Sequence, residues 1–156
     1  MSAEQPATDE AWMRRAIELS RLCPPSESAF SVGAVIVDAE GNEIANGYSR
    51  ETDPHVHAEE SALAKLADDD ARLGSATIYS TLEPCAKRKS RPLTCTRLIL
   101  QARIPRVVIA WREPDLFVRD VDGVEFLQSS GVTVVELHHL SAEAQAVNRN
   151  LPGIAD

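Results

Sequence analysis

Met13, Ala16, Ile17 and Ser20 recur at intervals of three, one and three residues. That period predicts an amphipathic helix from Asp9 to Arg21, and Pro24-Pro25 stops it because proline has no amide hydrogen to give. Ala34-Val35-Ile36-Val37 is an apolar run of strand length. The turn-forming stretch Asp38 to Asn42 follows, then Glu43 to Tyr48 as the second strand of a hairpin. Asp53-Pro54 is a start signal for a helix from His57 to Leu66. Ala76 to Ser80, Arg106 to Ala110 and Thr133 to Leu137 read as three further strands. Thr94 is placed to cap a helix from Cys95 to Ala102 whose inward residues are Leu98, Ile99 and Ala102. Asp120 to Ser129 reads as a helix with Gly131 at its C-terminal end, and Ser141 as the cap of a closing helix to Arg149. Strands alternating with helices after residue 57 require crossover connections, which gives an α/β fold containing parallel strands.

Length and charge narrow the class. The 156 residues fit one domain, residues 1–156, with no internal repeat, low-complexity tract or linker. Apolar content of 44% and charged content of 26% are ordinary for a soluble globular protein. No run approaches the length of a membrane span, and Met1 to Thr8 lacks the basic and apolar segments of a signal peptide, so a cytoplasmic location is expected. Three cysteines in this setting argue for thiol or metal chemistry over a disulfide framework. A net charge of −8 weighs against broad binding to a nucleic-acid backbone, but a small phosphorylated ligand needs only a local basic patch. Lys87, Arg88, Lys89 and Arg91 form such a patch, four of the sixteen basic residues within five positions. A solvated loop and a phosphate contact are both open readings of it.

His57-Ala58-Glu59, then Pro84-Cys85, then Cys95 carry the chemistry. One histidine and two cysteines suit Zn²⁺, one ion per chain. Three protein ligands leave the fourth tetrahedral position for water, as catalytic sites do. Glu59 lies two residues from His57 and can reach that water without being a ligand. A lone histidine in a helix is ordinarily structural and a lone cysteine a small core hydrophobe. The combination, in this order and beside Glu59 and Pro84, favours a site. The helix starts predicted at His57 and Cys95 add to this, because helix N-termini favour thiolate. Nine residues separate Cys85 from Cys95, and a longer loop costs little closure entropy. Cys23 has no such company and reads as a buried thiol near a helix end. His138 and His139 have no spacing partner. His55 is close enough in sequence to reach a substrate or to face solvent. Trp12 is expected to pack. Trp111, at a strand end where sites form in α/β sheets, is a candidate for stacking on a substrate.

These residues resemble the cytidine deaminase-like superfamily, whose zinc signature is H-x-E…P-C-x-x-C. Within it the chain is most similar to the deaminase domain of the bacterial bifunctional riboflavin-biosynthesis deaminase-reductases. The matching stretches include Val32-Gly33-Ala34-Val35-Ile36-Val37, Gly47-Tyr48, Thr81-Leu82-Glu83-Pro84-Cys85, Arg91-Pro92-Leu93-Thr94-Cys95, Arg106-Val107-Val108 and Ser141-Ala142-Glu143-Ala144. The resemblance spans about residues 9–152. It implies a three-layer α-β-α sandwich with a five-stranded mixed sheet, Zn²⁺ held by His57, Cys85 and Cys95, and Glu59 as proton shuttle. It also implies hydrolytic release of ammonia from an aminopyrimidine ribotide, with the backbone around Ala58 and Cys85 holding the base and Arg91 the phosphate. Assembly as a dimer or tetramer goes with it.

The chain departs from the riboflavin branch where base, ribose and phosphate are expected. Ser31 replaces an asparagine, Ser49 a histidine, and Glu113-Pro114-Asp115 stands for Asp-Pro-Asn. The loop between the cysteines carries Lys87-Arg88-Lys89 in place of His-His or His-Phe and is one residue longer. Ser31, Ser49, Lys87, Arg91, Trp111 and Asp115 are therefore the candidate substrate contacts. Asp53-Pro54-His55-Val56-His57 is similar to a segment of guanine, cytosine and tRNA-adenosine deaminases. No reductase domain is present in these residues, so only the deamination half is expected. Three readings stay open: an aminopyrimidine ribotide as substrate, another base or nucleoside (cytosine, guanine, cytidine), and a zinc-stabilised binding module without turnover. Glu59 argues against the last, since a structural zinc site has no use for an acid/base group beside an open position.

Overall fold

Thr8 caps the first helix, α1 (Asp9–Ser20), by accepting the Ala11 amide on its hydroxyl, and Asp9 and Glu10 sit at the positive helix end. The computed structural model describes residues 8–26, 29–85, 93–112 and 123–148. The remaining elements are β1 (Gly33–Val37), β2 (Glu43–Tyr48), α2 (Ala58–Ala64), β3 (Thr77–Leu82), α3 (Cys95–Ala102), β4 (Arg106–Trp111), α4 (Gly123–Ser129), β5 (Thr133–Glu136) and α5 (Ser141–Ala146). Single 3₁₀ segments at Ala71–Ser75 and His138–Leu140 were not expected from the pattern.

The strands form one sheet in the order β2-β1-β3-β4-β5. β1 runs antiparallel to β2 and β3, while β3, β4 and β5 are parallel. Alternation along each central strand sorts its apolar side chains to two faces. Val35, Val37, Tyr79 and Val108 pack with Met13 and Ile17 of α1 and Ala144 of α5. Ile36, Ile78, Val107 and Ile109 pack with Ala62 of α2, Ile99 of α3 and Leu127 of α4. The result is the expected α-β-α sandwich with a mixed sheet.

Several boundaries differ from the pattern for local reasons. The helix after Asp53-Pro54 starts later: His57 is the N-cap, and the Glu60 carboxylate accepts its amide at 3.2 Å. It ends at Ala64, where the Lys65 and Leu66 amides turn back to Ala62 and Leu63. In α3 the buried residues are Cys95, Thr96 and Ile99, while Leu98 and Ala102 are half-buried, because the inward face starts at the helix N-terminus. Ser141 is the first helical residue and not the cap; the 3₁₀ turn through Leu140 runs straight into α5. Gly131 adopts φ 92° just past α4, as a helix stop requires. The expected starts and ends at Asp120 and Arg149 lie outside the described residues.

Because β1 is antiparallel to β3, its start lies beside the end of β3, with Ala34 opposite Ser80. The end of β2 pairs there too, Tyr48 opposite Gly33, and the end of β4 adds Trp111 opposite Leu82. One sheet edge thus gathers the segments that carry Ser31, Ser49, Cys85 and Trp111, at the strand ends where α/β sheets build sites.

Gly47 decides how closely α2 can lie on this sheet. A Cβ there would stand 2.6 Å from both the Ala58 carbonyl oxygen and the Ala62 amide nitrogen, backbone atoms that cannot swing aside. Gly47→Ala should cost about 1–3 kcal/mol, the usual range for overpacking. It should also push away the helix that carries Glu59. Urea unfolding midpoints measure the first effect. An alanine variant as stable as wild type would contradict the close approach. Among the described residues no helix is long and apolar enough to cross a membrane.

Candidate metal centre

His57, Cys85 and Cys95 come together from three places: the cap of α2, the exit of β3 and the first residue of α3. His57 Nδ1 lies 3.3 Å from Cys95 Sγ and 3.6 Å from Cys85 Sγ. A tetrahedral Zn²⁺ with Zn–S of about 2.3 Å and Zn–N of about 2.0 Å places sulfur and nitrogen about 3.5 Å apart. All three donor atoms lie within 4.8 Å of one another, so they suit one ion with a coordination position left over. Among the described residues this is the group of metal-type donors that forms.

Cys85 organises the start of α3. Its Sγ accepts the Cys95 amide at 3.3 Å and its carbonyl accepts the Thr96 amide at 3.2 Å. The Thr94 hydroxyl accepts the Arg97 amide. Three of the amides that a helix start leaves without intrahelical partners are satisfied in this way. One of those bonds ties the two cysteines directly, and a second ties Cys85 to the next residue of the helix. Hydrogen bonding by the Cys95 side chain, then by His57 and the Cys95 amide, outweighs burial and brings the Cys85 thiol down to about 4. A thiolate is the form that binds metal.

Upstream, Pro84 and Glu83 hold Cys85 in place. The Glu83 amide donates to the Trp111 carbonyl at 3.0 Å, and its buried carboxylate accepts the Val124 amide at the start of α4 at 2.9 Å. α4 approaches so closely that a Cβ on Gly123 would stand 2.1 Å from the Pro84 carbonyl oxygen.

Glu59 sits in the first turn of α2 and is 3% exposed. Burial pushes its carboxyl above the ordinary range, and the charges of His57 and Cys85 act on it in opposite directions. Its Oε2 lies 3.2 Å from the Ser80 hydroxyl. Ala58, between His57 and Glu59, is fully buried.

The other sequence candidates take varied places. Ser49 is buried, with its hydroxyl accepting the Val32 amide at 2.9 Å, so it ties β2 to the start of β1. The Ser31 hydroxyl accepts from Arg50 Nη2 at 2.8 Å, and Arg50 also reaches the carbonyls of Pro24 and Phe30. Trp111 is 5% exposed and meets Phe30 edge-on. Its indole Nε1 is a buried donor with no hydrogen-bond partner among the described residues. Lys87, Arg91 and Asp115 lie outside the described residues. Cys23 follows α1, half-buried, with Sγ 3.6 Å from the Val32 carbonyl and apart from the metal-type group, and burial raises its thiol. His55 is exposed, and Trp12 packs near Tyr79.

Four residues at this edge escape sequence reasoning. Asn148 is fully buried; its side chain accepts the Ser31 amide at 2.6 Å and donates to the Ser31 carbonyl at 3.1 Å across 117 positions. Ser80 and Glu83 act through contacts with Glu59 and α4, and only the packed fold brings those partners together. Arg50 carries a local signal, a positive φ of 62° after a strand end, visible only in the backbone.

A family model, that of the cytidine and deoxycytidylate deaminase zinc-binding region, matches residues 6–111. The chain is similar to a diaminohydroxyphosphoribosylamino-pyrimidine deaminase of Schizosaccharomyces pombe, with 42% identity over 134 residues, 85% of this chain and 33% of that protein. It is also similar to a tRNA-specific adenosine deaminase of Haemophilus influenzae, with 38% identity over 105 residues, 64% of this chain and 56% of that one. The chain spans about a third of the length of the riboflavin-pathway relatives it matches. Among solved structures, the Aspergillus oryzae Rib2 deaminase in complex with DARIPP superposes with a TM-score of 0.77 at 25% identity, covering 89% of this chain and 88% of that one.

Proposed function

The chain belongs to the cytidine and deoxycytidylate deaminase zinc-binding family, and from that premise we propose that it is a zinc-dependent hydrolase that removes the exocyclic amine of an aminopyrimidine ribotide and releases ammonia. The observation that carries the reading is a buried glutamate, Glu59, beside a three-donor group of His57, Cys85 and Cys95 that leaves a position open. The 42% identity to a deaminase named for a diaminohydroxyphosphoribosylamino-pyrimidine supports the substrate class.

His57, Cys85 and Cys95 would hold the zinc. When bound there, the ion supplies Lewis acidity that lowers the pKa of water toward neutrality. Glu59 takes a proton from the attacking water and passes it to the ring nitrogen as oxygen adds to the amidine carbon. It then takes the remaining proton from the added hydroxyl and delivers it to the exocyclic amine, the carbon–nitrogen bond breaks, and a carbonyl and ammonia result. Burial of Glu59 keeps its carboxyl easily protonated, which suits a group that must both take and give. The backbone around Ala58 and Cys85 lies beside the ring in this reading. Ser31, Ser49, Trp111 and Asp115 are the remaining candidate contacts with base, ribose and phosphate in this reading, Trp111 by stacking.

Phosphate falls to the run from Lys87 to Arg91, tethered at both ends by cysteines of the metal group. Arg91→Ala should raise KM for a phosphorylated substrate about ten- to hundred-fold relative to its dephosphorylated form, the worth of a charge-assisted contact of about 1.5–3 kcal/mol. Equal effects on both forms would return the run to a solvated loop.

A second reading, deamination of another base or nucleoside such as cytosine, guanine or cytidine, draws on one observation. The hydroxyls of Ser31 and Ser49 are already engaged by Arg50 and by the Val32 backbone, which leaves fewer free groups for a sugar phosphate. An ammonia-release screen over free bases, nucleosides and nucleotides decides between the two. The first reading expects the phosphorylated aminopyrimidine to react fastest, and reaction of free bases or nucleosides alone would overturn it. A cytoplasmic homo-oligomer, dimer or tetramer, completes the proposal, and light scattering on the purified protein tests the assembly.

A further inference from the structure

Ser80 lies on the central strand β3 and is 0% exposed, two residues on from Ile78, which packs with Ile36, Val107 and Ile109. A hydroxyl buried there is costly unless it is hydrogen-bonded. This one has two neighbours. Its Oγ is 2.8 Å from the Leu82 carbonyl oxygen and 3.2 Å from Glu59 Oε2. Ala34 of β1 and Ile109 of β4 flank it in register, so the backbone that carries it is held from both sides.

A hydroxyl has one proton and two acceptor sites. Ser80 can donate to only one of these oxygens at a time. With its proton on the Leu82 carbonyl, it offers Glu59 a lone pair, which suits a carboxylic acid. With its proton turned to Glu59, it suits a carboxylate. Ser80 can therefore bond the glutamate as donor or as acceptor by rotation about its Cβ–Oγ bond, with no movement of the chain.

We propose that Ser80 is a positioning residue that holds the Glu59 carboxyl aimed at the reacting groups. The proposal rests on the deaminase reading above. Nothing in the local sequence marks Ser80. Its two neighbours there, Tyr79 and Thr81, are buried as well, and only the packing of α2 on the sheet puts Glu59 against it.

The test uses the zinc-loaded protein and three variants. Ser80→Ala removes the hydroxyl and adds no bulk. Ser80→Thr and Ser80→Val share one shape and differ in the hydroxyl alone. With the substrate that wild type turns over, kcat of Ser80→Ala should fall about ten-fold or more, the effect of losing a hydrogen bond to a charged group. KM and zinc content should stay near wild type, and Ser80→Thr should be markedly faster than Ser80→Val. A crystal structure of zinc-loaded Ser80→Ala should show the Glu59 carboxyl displaced or spread over more than one rotamer. Unchanged kcat in Ser80→Ala, a loss carried by KM, equal rates for Thr and Val, or an unmoved Glu59 would each overturn the role. A wild type that deaminates nothing in the screen sinks the functional reading and leaves the Glu59 position in the crystal to decide Ser80. An active wild type matched by an equally active Ser80→Ala sinks Ser80 alone.

Discussion

Glu59→Gln should lower kcat by about 10²–10⁴-fold, toward the upper end, while the protein keeps its fold and its zinc. The amide has nearly the shape of the carboxyl but cannot carry a proton between water, ring nitrogen and amine. Loss at the upper end is expected because one group serves more than one proton transfer. The fold should not suffer, and the sign can be worked out. Burial raises the folded-state pKa of Glu59 above its unfolded value. For an acid shifted in that direction, ionisation in the unfolded chain draws stability away as pH rises past the ordinary carboxylate range, until the folded form ionises too. Glutamine has no such loss, so the metal-free variant should be at least as stable as metal-free wild type near neutrality. Ammonia release and thermal unfolding measure the two halves. A Gln variant with near-normal turnover on any substrate would remove Glu59 from the mechanism.

Replacing both Cys85 and Cys95 by serine should abolish stoichiometric zinc, and turnover with it. Wild type should carry one Zn²⁺ per chain. The variant should carry little, because a lone imidazole with two hydroxyls is a poor match for the ion. Stability should fall as well, since a ligand bound only by the folded form adds about 4 kcal/mol when present at a thousand times its Kd. A chelator applied to wild type should lower its melting temperature in the same direction. The α3 cap weakens in the variant for a separate reason: the Cys95 amide loses its sulfur acceptor. Metal analysis settles the point. Full zinc in the double variant would exclude this site, and Cys23 found on the metal would end the reading of a three-donor centre with an open position.

The helices are readable from periodicity because each buries one face, and the central strands are readable as short apolar runs because β1, β3 and β4 are buried on both faces. Boundaries are less readable, because they depend on where a single amide finds a partner. Glu60 capping His57 shortens α2 at its start, and the 3₁₀ turn at His138–Leu140 displaces Ser141 from the cap of α5. The donor set was legible for a chemical reason. Histidine and cysteine beside a glutamate are rare company for a core, so their types and order carry the signal without any coordinates. Cys23 was separable on the same ground, having no such neighbours.

Residue types and spacing, by themselves, determined the α/β class, the His57–Cys85–Cys95 donors, the presence of a carboxyl two residues from the histidine, and a basic run between the cysteines. What only the tertiary structure decided is how those groups are held. The antiparallel placement of β1 brings Ser31 and Ser49 to the same edge as Cys85, and the structure then commits both hydroxyls to Arg50 and Val32. The bond from Asn148 to Ser31 spans 117 residues, and that from Ser80 to Glu59 spans 21. Such pairs leave no periodic trace, because each partner is an ordinary polar residue in its own segment. Its role exists only once sheet register and helix packing have set the distance between the two.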